Sequence, residues 1–364
     1  MLCLGATPMR TSQQVGLAPA LTVPYQSSEA EQLARTAYSQ YRAGKLDEAF
    51  ANITKSIALN PKDYRAHVVL GYIYGAQRKL KSASDSFATA IRMQPSDKDV
   101  YLLKAQVDFL RNARDEALVA ARKAVELDPK YGEAHMMVGA VLKVDPKRRG
   151  EAIEAYETAL KINPQLLSAY EALGEVYATD KQEAKAEEVF RKGMDVDPKH
   201  MTGRFELGRL LVKQGRLKEA RELWDGRSSD KDNTFPSFIT VLKRAENLKS
   251  ATDAAVKNPN DPEALFKLGL AILEGDSWVV DKRQERAIIQ FRRALELKPD
   301  YAQAQYQLVK AYIQLADMSA AENKNVELEM AKLRELDAKL ADELVAYRKD
   351  YKTGIKLTPV KKDQ

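Results

Sequence analysis

Most of the side chains that carry out chemistry are scarce in this sequence. Cys3 is the only cysteine among 364 residues, so neither an intramolecular disulfide framework nor a cysteine-based zinc site can be built, and the redox compartment stays open. Histidine occurs three times and aromatic residues make up 7% of the chain. No serine sits in a G-x-S-x-G elbow, and no Gly-rich loop follows a strand pattern to cradle phosphates. Apolar runs stay well short of the roughly 20 residues that span a bilayer. Charge of one sign is also lacking as a block: 58 basic residues face 52 acidic ones, for a net charge of +6. That balance describes mixed-sign helix faces rather than a nucleic-acid surface, which usually shows a denser basic run. Catalysis, a cofactor and a metal ion are therefore not expected, and carboxylate pairs such as Glu187 and Glu188 are expected to be solvated helix charges.

What is abundant is helix-forming residues in a periodic arrangement. Charged residues reach 30%, and Ala, Leu, Lys and Glu dominate. Pro61, Pro95, Pro129, Pro164 and Pro198 recur at separations of 34, 34, 35 and 34 residues. Ala37, Gly71, Ala105, Gly139, Gly174 and Gly208 keep the same phase, as do Ala49, Ala83, Ala117, Ala152, Ala186 and Ala220. Three registers in agreement mark a stack of repeated units, each burying its apolar face against the next.

A glycine inside a helix costs about 1 kcal/mol relative to alanine, so Gly71 calls for a reason. Small residues on both helices of a unit let their backbones approach closely, and burial of Tyr74, Phe87 and Leu70, at about 1.5–3 kcal/mol for each fully buried side chain, offsets the cost. The prolines end the second helices, which makes "LNPKD", "MQPSD", "LDPKY", "INPQL" and "VDPKH" the corners between units.

The pattern resembles the tetratricopeptide repeat (TPR) family. Residues Leu70, Gly71, Tyr74, Ala83, Phe87, Ala90 and Pro95 carry it in one unit, and Tyr170, Leu173, Gly174, Tyr177, Ala186, Phe190 and Pro198 in another. The resemblance implies an all-α fold, a right-handed α-solenoid of stacked antiparallel helix pairs. Six units are expected over 29–224. Residues 225–261 break the register and read as an irregular loop plus a degenerate helix pair, with Pro236 placed to open a helix. The pattern returns at Leu268 and Gly269 and completes at Ala287, Phe291, Ala294 and Pro299, so that 262–350 reads as two further units with a capping helix. The insertion "EGDSWVVDKRQ" would leave Trp278 exposed, whereas Trp224 falls at an aromatic core position. Residues 1–28 read as a flexible segment or as the stump of a signal peptide, which leaves a cytoplasmic and an exported location both open. Residues 351–364 read as a disordered basic tail.

Function is then expected on a surface. His67, His135 and His200 fall in different units, two of them at the fourth position of a first helix, so they do not converge on a metal. At about 100° per residue, positions two, five, nine and twelve of a first helix share the arc opposite the core. In the resembling family that arc lines a concave groove for extended or helical peptides. Carried over, it places Tyr38, Tyr41, Val68, Tyr72, Leu102, Phe109, Met136 and Met137 on or beside the groove in the N-terminal half, and Phe205, Glu171, Glu175, Glu206, Arg209 and Lys310 in the C-terminal half. The chaperone-binding branch grips a terminal carboxylate with basic and asparagine residues. Here those positions hold Ala34, Tyr38 and Val69, so an apolar segment or amphipathic helix of a protein partner suits the groove better. Competing expectations are that the aromatics pack between adjacent first helices, or that the chain's own "LAPALTVPY" covers them. A polyanion or nucleic-acid binder, suggested by the net basic charge and by "KRR" and "KKD", and an accessory subunit of an enzyme are the alternatives to an interaction scaffold.

Overall fold

The computed structural model describes residues 28–198, 201–224, 238–276, 280, 282–315 and 320–353. They form eighteen α-helices and one 3-10 turn, with no strand among the described residues. Two compact units divide the chain, Met1–Glu206 and Leu207–Gln364.

The first unit holds five antiparallel pairs: α1 (Glu29–Arg42) with α2 (Leu46–Leu59), α3 (Tyr64–Ala76) with α4 (Leu80–Met93), α5 (Lys98–Leu110) with α6 (Arg114–Leu127), α7 (Gly132–Leu142) with α8 (Arg149–Ile162), and α9 (Leu167–Thr179) with α10 (Glu183–Val196). Each second helix packs on its own first helix, and α2, α4, α6 and α8 pack also on the first helix of the next pair, so neighbouring units bury apolar faces that none could bury alone. Asp63 and Asp97 cap α3 and α5, accepting from the backbone N–H of Arg65 and Asp99 at 3.0 Å each, which satisfies donors a helix start leaves open. The fourth-position histidines have structural partners. His67 Nε2 lies 3.2 Å from the Pro61 carbonyl and His135 Nε2 3.0 Å from that of Pro129. His200 lies outside the described residues.

In four of these pairs, and again at Gly215, the chain reverses through one left-handed residue, whereas α7 and α8 are joined through the 3-10 turn Pro146–Arg148. Gly44 has φ +76° and Gly215 +75°, but Arg78, Asn112 and Lys181 hold φ of 59°, 63° and 59°. The residue that follows donates to a carbonyl five positions back in all five turns: Lys45 to Gln40, Lys79 to Tyr74, Ala113 to Asp108, Gln182 to Tyr177 and Arg216 to Leu211. This closes the helix end. A β-carbon makes that conformation costly for Arg and Lys. Arg78→Gly and Lys181→Gly should each raise stability by about 0.5–1 kcal/mol, after allowing for the freer unfolded glycine, seen as a higher midpoint in urea unfolding.

Gly71 serves a purpose other than backbone approach. A β-carbon there would stand 2.5 Å from Phe87 Cε1, and at Gly174, Gly139, Gly208 and Gly269 it would stand 2.4, 2.9, 2.0 and 2.4 Å from ring atoms of Phe190, Tyr156, Trp224 and Phe291. In each of these pairs an aromatic ring from the second helix occupies the space that the glycine leaves. Phe87 is 1% exposed, while Tyr74 and Leu70 are only half-buried.

The first unit ends within α11 (Met201–Lys213), and the second continues with α12 (Leu217–Trp224), α13 (Phe238–Lys257), α14 (Pro262–Glu274), α15 (Arg283–Leu297), α16 (Ala302–Leu315), α17 (Ala320–Leu336) and α18 (Ala338–Thr353). Trp224 is buried, its ring stacked 4.9 Å from that of Phe238. Trp278 and the tails outside 28–353 lie beyond the described residues. The degenerate pair expected within 225–261 is instead one helix of 20 residues over its described part. No glycine or proline interrupts "FITVLKRAENLKSATDAAVK", and nothing else in it ends a helix. Beyond it α14 pairs with α15 and α16 with α17, and α18 packs on α16 and α17. The break before α18 falls at Asp337, whose Oδ1 accepts from the Leu340 N–H at 3.1 Å. Among the described residues no helix is long and apolar enough to cross a membrane.

Candidate interaction face of the first helices

The outward arc of α1, α3, α5 and α7 in the N-terminal unit brings aromatic side chains together. The ring centroids of Tyr38, Tyr41 and Tyr72 form a triangle with sides of 6.1, 6.4 and 5.7 Å, and Tyr41 and Tyr72 are stacked at 22°. All three are half-buried. Tyr72 also meets Phe87 edge-on at 5.9 Å, so it ties the face to the aromatic ring seated against Gly71. Burial pushes the phenols of Tyr41 and Tyr72 upward, reinforced by the neighbouring tyrosines and, for Tyr72, by Asp99 and Asp97. Their hydroxyls stay protonated and available as donors near neutral pH.

The other expected residues divide. Val68 is half-buried against the cluster of Ala83, Phe87, Ala90, Val100 and Val107. Phe109 is half-buried against α5–α7, and Met136 is half-buried. Leu102 and Met137 are buried, each 7% exposed, in one cluster with Ala105, Ala117, Ala120, Ala121 and Val141. The alanines of α6 leave room that these two longer side chains fill, which turns them from the face toward the core.

Residues of the opposite sign from the chain as a whole sit on the same arc and were not singled out by an apolar reading. Glu31, Asp99 and Glu133 hold the second position of the repeat register in α1, α5 and α7, where α3 has Arg65. Burial of Tyr131, just before α7, together with hydrogen bonding toward Asp99 and the Asp99 charge, raises its phenol pKa strongly. Lys98 pairs with Asp128 and places Nζ 4.7 Å over the Tyr131 ring. No periodic signal marks Tyr131, because it stands outside the helices; Asp99 and Glu133 were accessible through the 100° spacing.

Toward α9 the expected charged groups are present but already engaged. Lys143 Nζ lies 2.6 Å from Glu175 Oε2 and Arg149 2.8 Å from Asp180. Glu171 and Glu206 are half-buried and Phe205 is buried at 7%. In the second unit Arg209 is half-buried, and Lys310 holds Nζ 5.2 Å over the ring of Tyr347. Among the described residues no group of three His, Cys, Asp or Glu side chains converges to hold a metal ion.

Tetratricopeptide repeat models match residues 70–132, 245–302 and 167–200, and a TPR repeat model matches 149–180. The chain is a tetratricopeptide repeat protein. Human "Protein O-mannosyl-transferase TMTC3" is 20% identical over 281 residues, which is 74% of this chain and 28% of that protein. The "Peroxisomal targeting signal receptor" of Eremothecium gossypii is 22% identical over 297 residues, 74% of this chain and 48% of the receptor. The TPR chain thus spans less than half the length of these two relatives. Among solved structures, PilW, a type IV pilus biogenesis factor, is 18% identical with a TM-score of 0.51, covering 57% of this chain and 96% of its own; that likeness shows the repeat fold.

Proposed function

We propose that this TPR protein is a non-catalytic interaction scaffold whose first-helix face in the N-terminal unit binds a segment of a protein partner. The observation that carries the reading is the half-buried triangle of Tyr38, Tyr41 and Tyr72. Aromatic side chains that keep exposed surface on a rigid support are the anchors on which interfaces concentrate their energy. The relative named as a targeting-signal receptor supports an interaction role.

The face residues differ in how far the fold depends on them. Tyr41 packs on the α1–α3 core, Tyr72 and Val68 on that of α3–α5, and Phe109 on that of α5–α7. Tyr38 and Met136 stand outside these three clusters and remain half-buried, which makes them the test. Tyr38→Ala with Met136→Ala should lower the thermal midpoint by no more than a few degrees and weaken capture of partners from the native cell by roughly tenfold or more, since an aromatic anchor commonly carries about 2 kcal/mol. Equal capture by the wild type and the double variant, compared by quantitative mass spectrometry, would rule the face out as the binding surface.

A further inference from the structure

The interaction face opposes the charge of its own chain. Along the outward arc of α1, α3, α5, α7 and α9, Glu31, Asp99, Glu133, Glu171 and Glu175 stand against Arg65 and Lys143, although the whole chain carries +6. The two cations are already engaged. The Arg65 guanidinium lies 5.8 Å from the ring centre of Tyr64, and Lys143 is bound to Glu175. Glu133 makes no ion pair among the described residues. Beside this negative field lie the π faces of Tyr38, Tyr41 and Tyr72, whose quadrupoles are negative too, so carboxylates and rings attract the same kind of ligand.

The molecule uses this pairing within itself. Lys98, held between the ring of Tyr131 and the carboxylate of Asp128, is the fullest case, and Lys185 stands 5.2 Å over the Tyr177 ring. We propose that the face of the N-terminal unit takes a cationic segment of its protein partner, with Lys or Arg side chains lying over Tyr38, Tyr41 and Tyr72 and with Asp99 and Glu133 as their counter-ions. This inference rests on the reading that the face binds a partner and adds the partner's chemistry. An acidic tail would set its carboxylates against Asp99 and Glu133 and lose affinity for that reason.

A phage library of random twelve-residue peptides, panned on the immobilised full chain and in parallel on the Tyr38→Ala, Met136→Ala variant, tests it. Peptides retained by the wild type and lost on the variant should be enriched several-fold in Lys and Arg over the starting library. Synthesised with a fluorescent label, they should bind the Asp99→Asn, Glu133→Gln variant about tenfold more weakly by anisotropy, and their affinity should fall as salt shortens the screening length. Asn and Gln keep the shape of the carboxylates they replace, and an unchanged circular dichroism melt verifies the fold. Face-dependent peptides that are neutral or acidic, or that bind the Asn/Gln variant as well as the wild type, would overturn the cationic assignment and leave the interaction face standing. If no peptide depends on Tyr38 and Met136, both the face and its cationic partner fall together.

Discussion

Leucine in place of Gly71 or Gly174 should destabilise the N-terminal unit by about 1–3 kcal/mol, and Gly208→Leu should reach or exceed the top of that range in the C-terminal unit. A β-carbon at Gly174 would already stand 2.4 Å from Phe190 Cε1, and at Gly208 2.0 Å from Trp224 Cε2. Neither ring has room to retreat: Phe190 is 2% exposed, and Trp224 is clamped against Phe238. The chain supplies its own control, because the two partners vary inversely in size. Where the first helix carries Ala37 or Ala105, the second carries Ile53 or Ala121 in the place of the ring, and all four are buried. Gly71→Ala should therefore be costly alone and much less so in combination with Phe87→Leu, a coupling that a double-mutant cycle reads directly. Lys81→Glu, at a lysine whose side chain is 82% exposed, should stay within about 0.5 kcal/mol. Urea midpoints decide the matter, with Trp224 fluorescence in a Trp278→Phe background reporting on Gly208. Equal shifts for Gly71→Leu and Lys81→Glu would sink the account of the glycine as a seat for a ring.

The repeat register was legible because the same constraint recurs every 34 residues and marks the chain with proline, a small residue and alanine each time. What recurs can be read from one copy to the next; what occurs once cannot. The helix Phe238–Lys257 is a single element outside the register, and the eye trained on pairs divides it. Arg78 and Lys181 take left-handed backbone with nothing in their chemistry to announce it, since it is the turn's length that imposes the conformation. On the first-helix face, the spacing rule gathered Tyr38, Tyr41 and Tyr72, whose rings do meet because their approach depends only on helices of regular phase. It could not foresee that Leu102 and Met137 would be buried, because the space they fill is set by small residues on a different helix, α6. The carboxylates of the same arc, Asp99 and Glu133, were legible by position and passed over only because an apolar surface was sought.

The third repeat departs furthest from its neighbours, and its departure carries the second large effect. Where the second and fifth repeats place Tyr74 and Tyr177, it places Asp108, with no exposed surface. Ser84 Oγ donates to Asp108 Oδ1 at 2.6 Å, Arg111 Nε at 2.8 Å, and Lys104 forms an ion pair with Oδ2. Burial alone would raise the pKa of this carboxyl, but the hydrogen bonds from Lys104, Ser84 and Arg111 and the Lys104 charge outweigh it and hold the group below its ordinary value. The backbone carbonyl of Asp108 also receives the Ala113 N–H at 2.8 Å, so the same residue anchors the turn into α6. Removing one member of a buried charge network commonly costs about 3–5 kcal/mol. Asp108→Ala should fall near the lower end of that range, because Lys104 and Arg111 keep 20% and 29% of their side-chain surface and regain some hydration. Asp108→Asn preserves shape and the acceptor for Ser84 while deleting the charge, so it should cost less and isolate the electrostatic part. A carboxyl whose pKa is lower folded than unfolded stabilises above the unfolded value and loses that contribution as pH falls through the folded one. The gap in urea midpoint between wild type and Asp108→Asn should accordingly be full at neutral pH and close on acidification from about pH 5 toward pH 2. A gap that stayed constant across that range would show that the Asp108 charge does not hold the third repeat together.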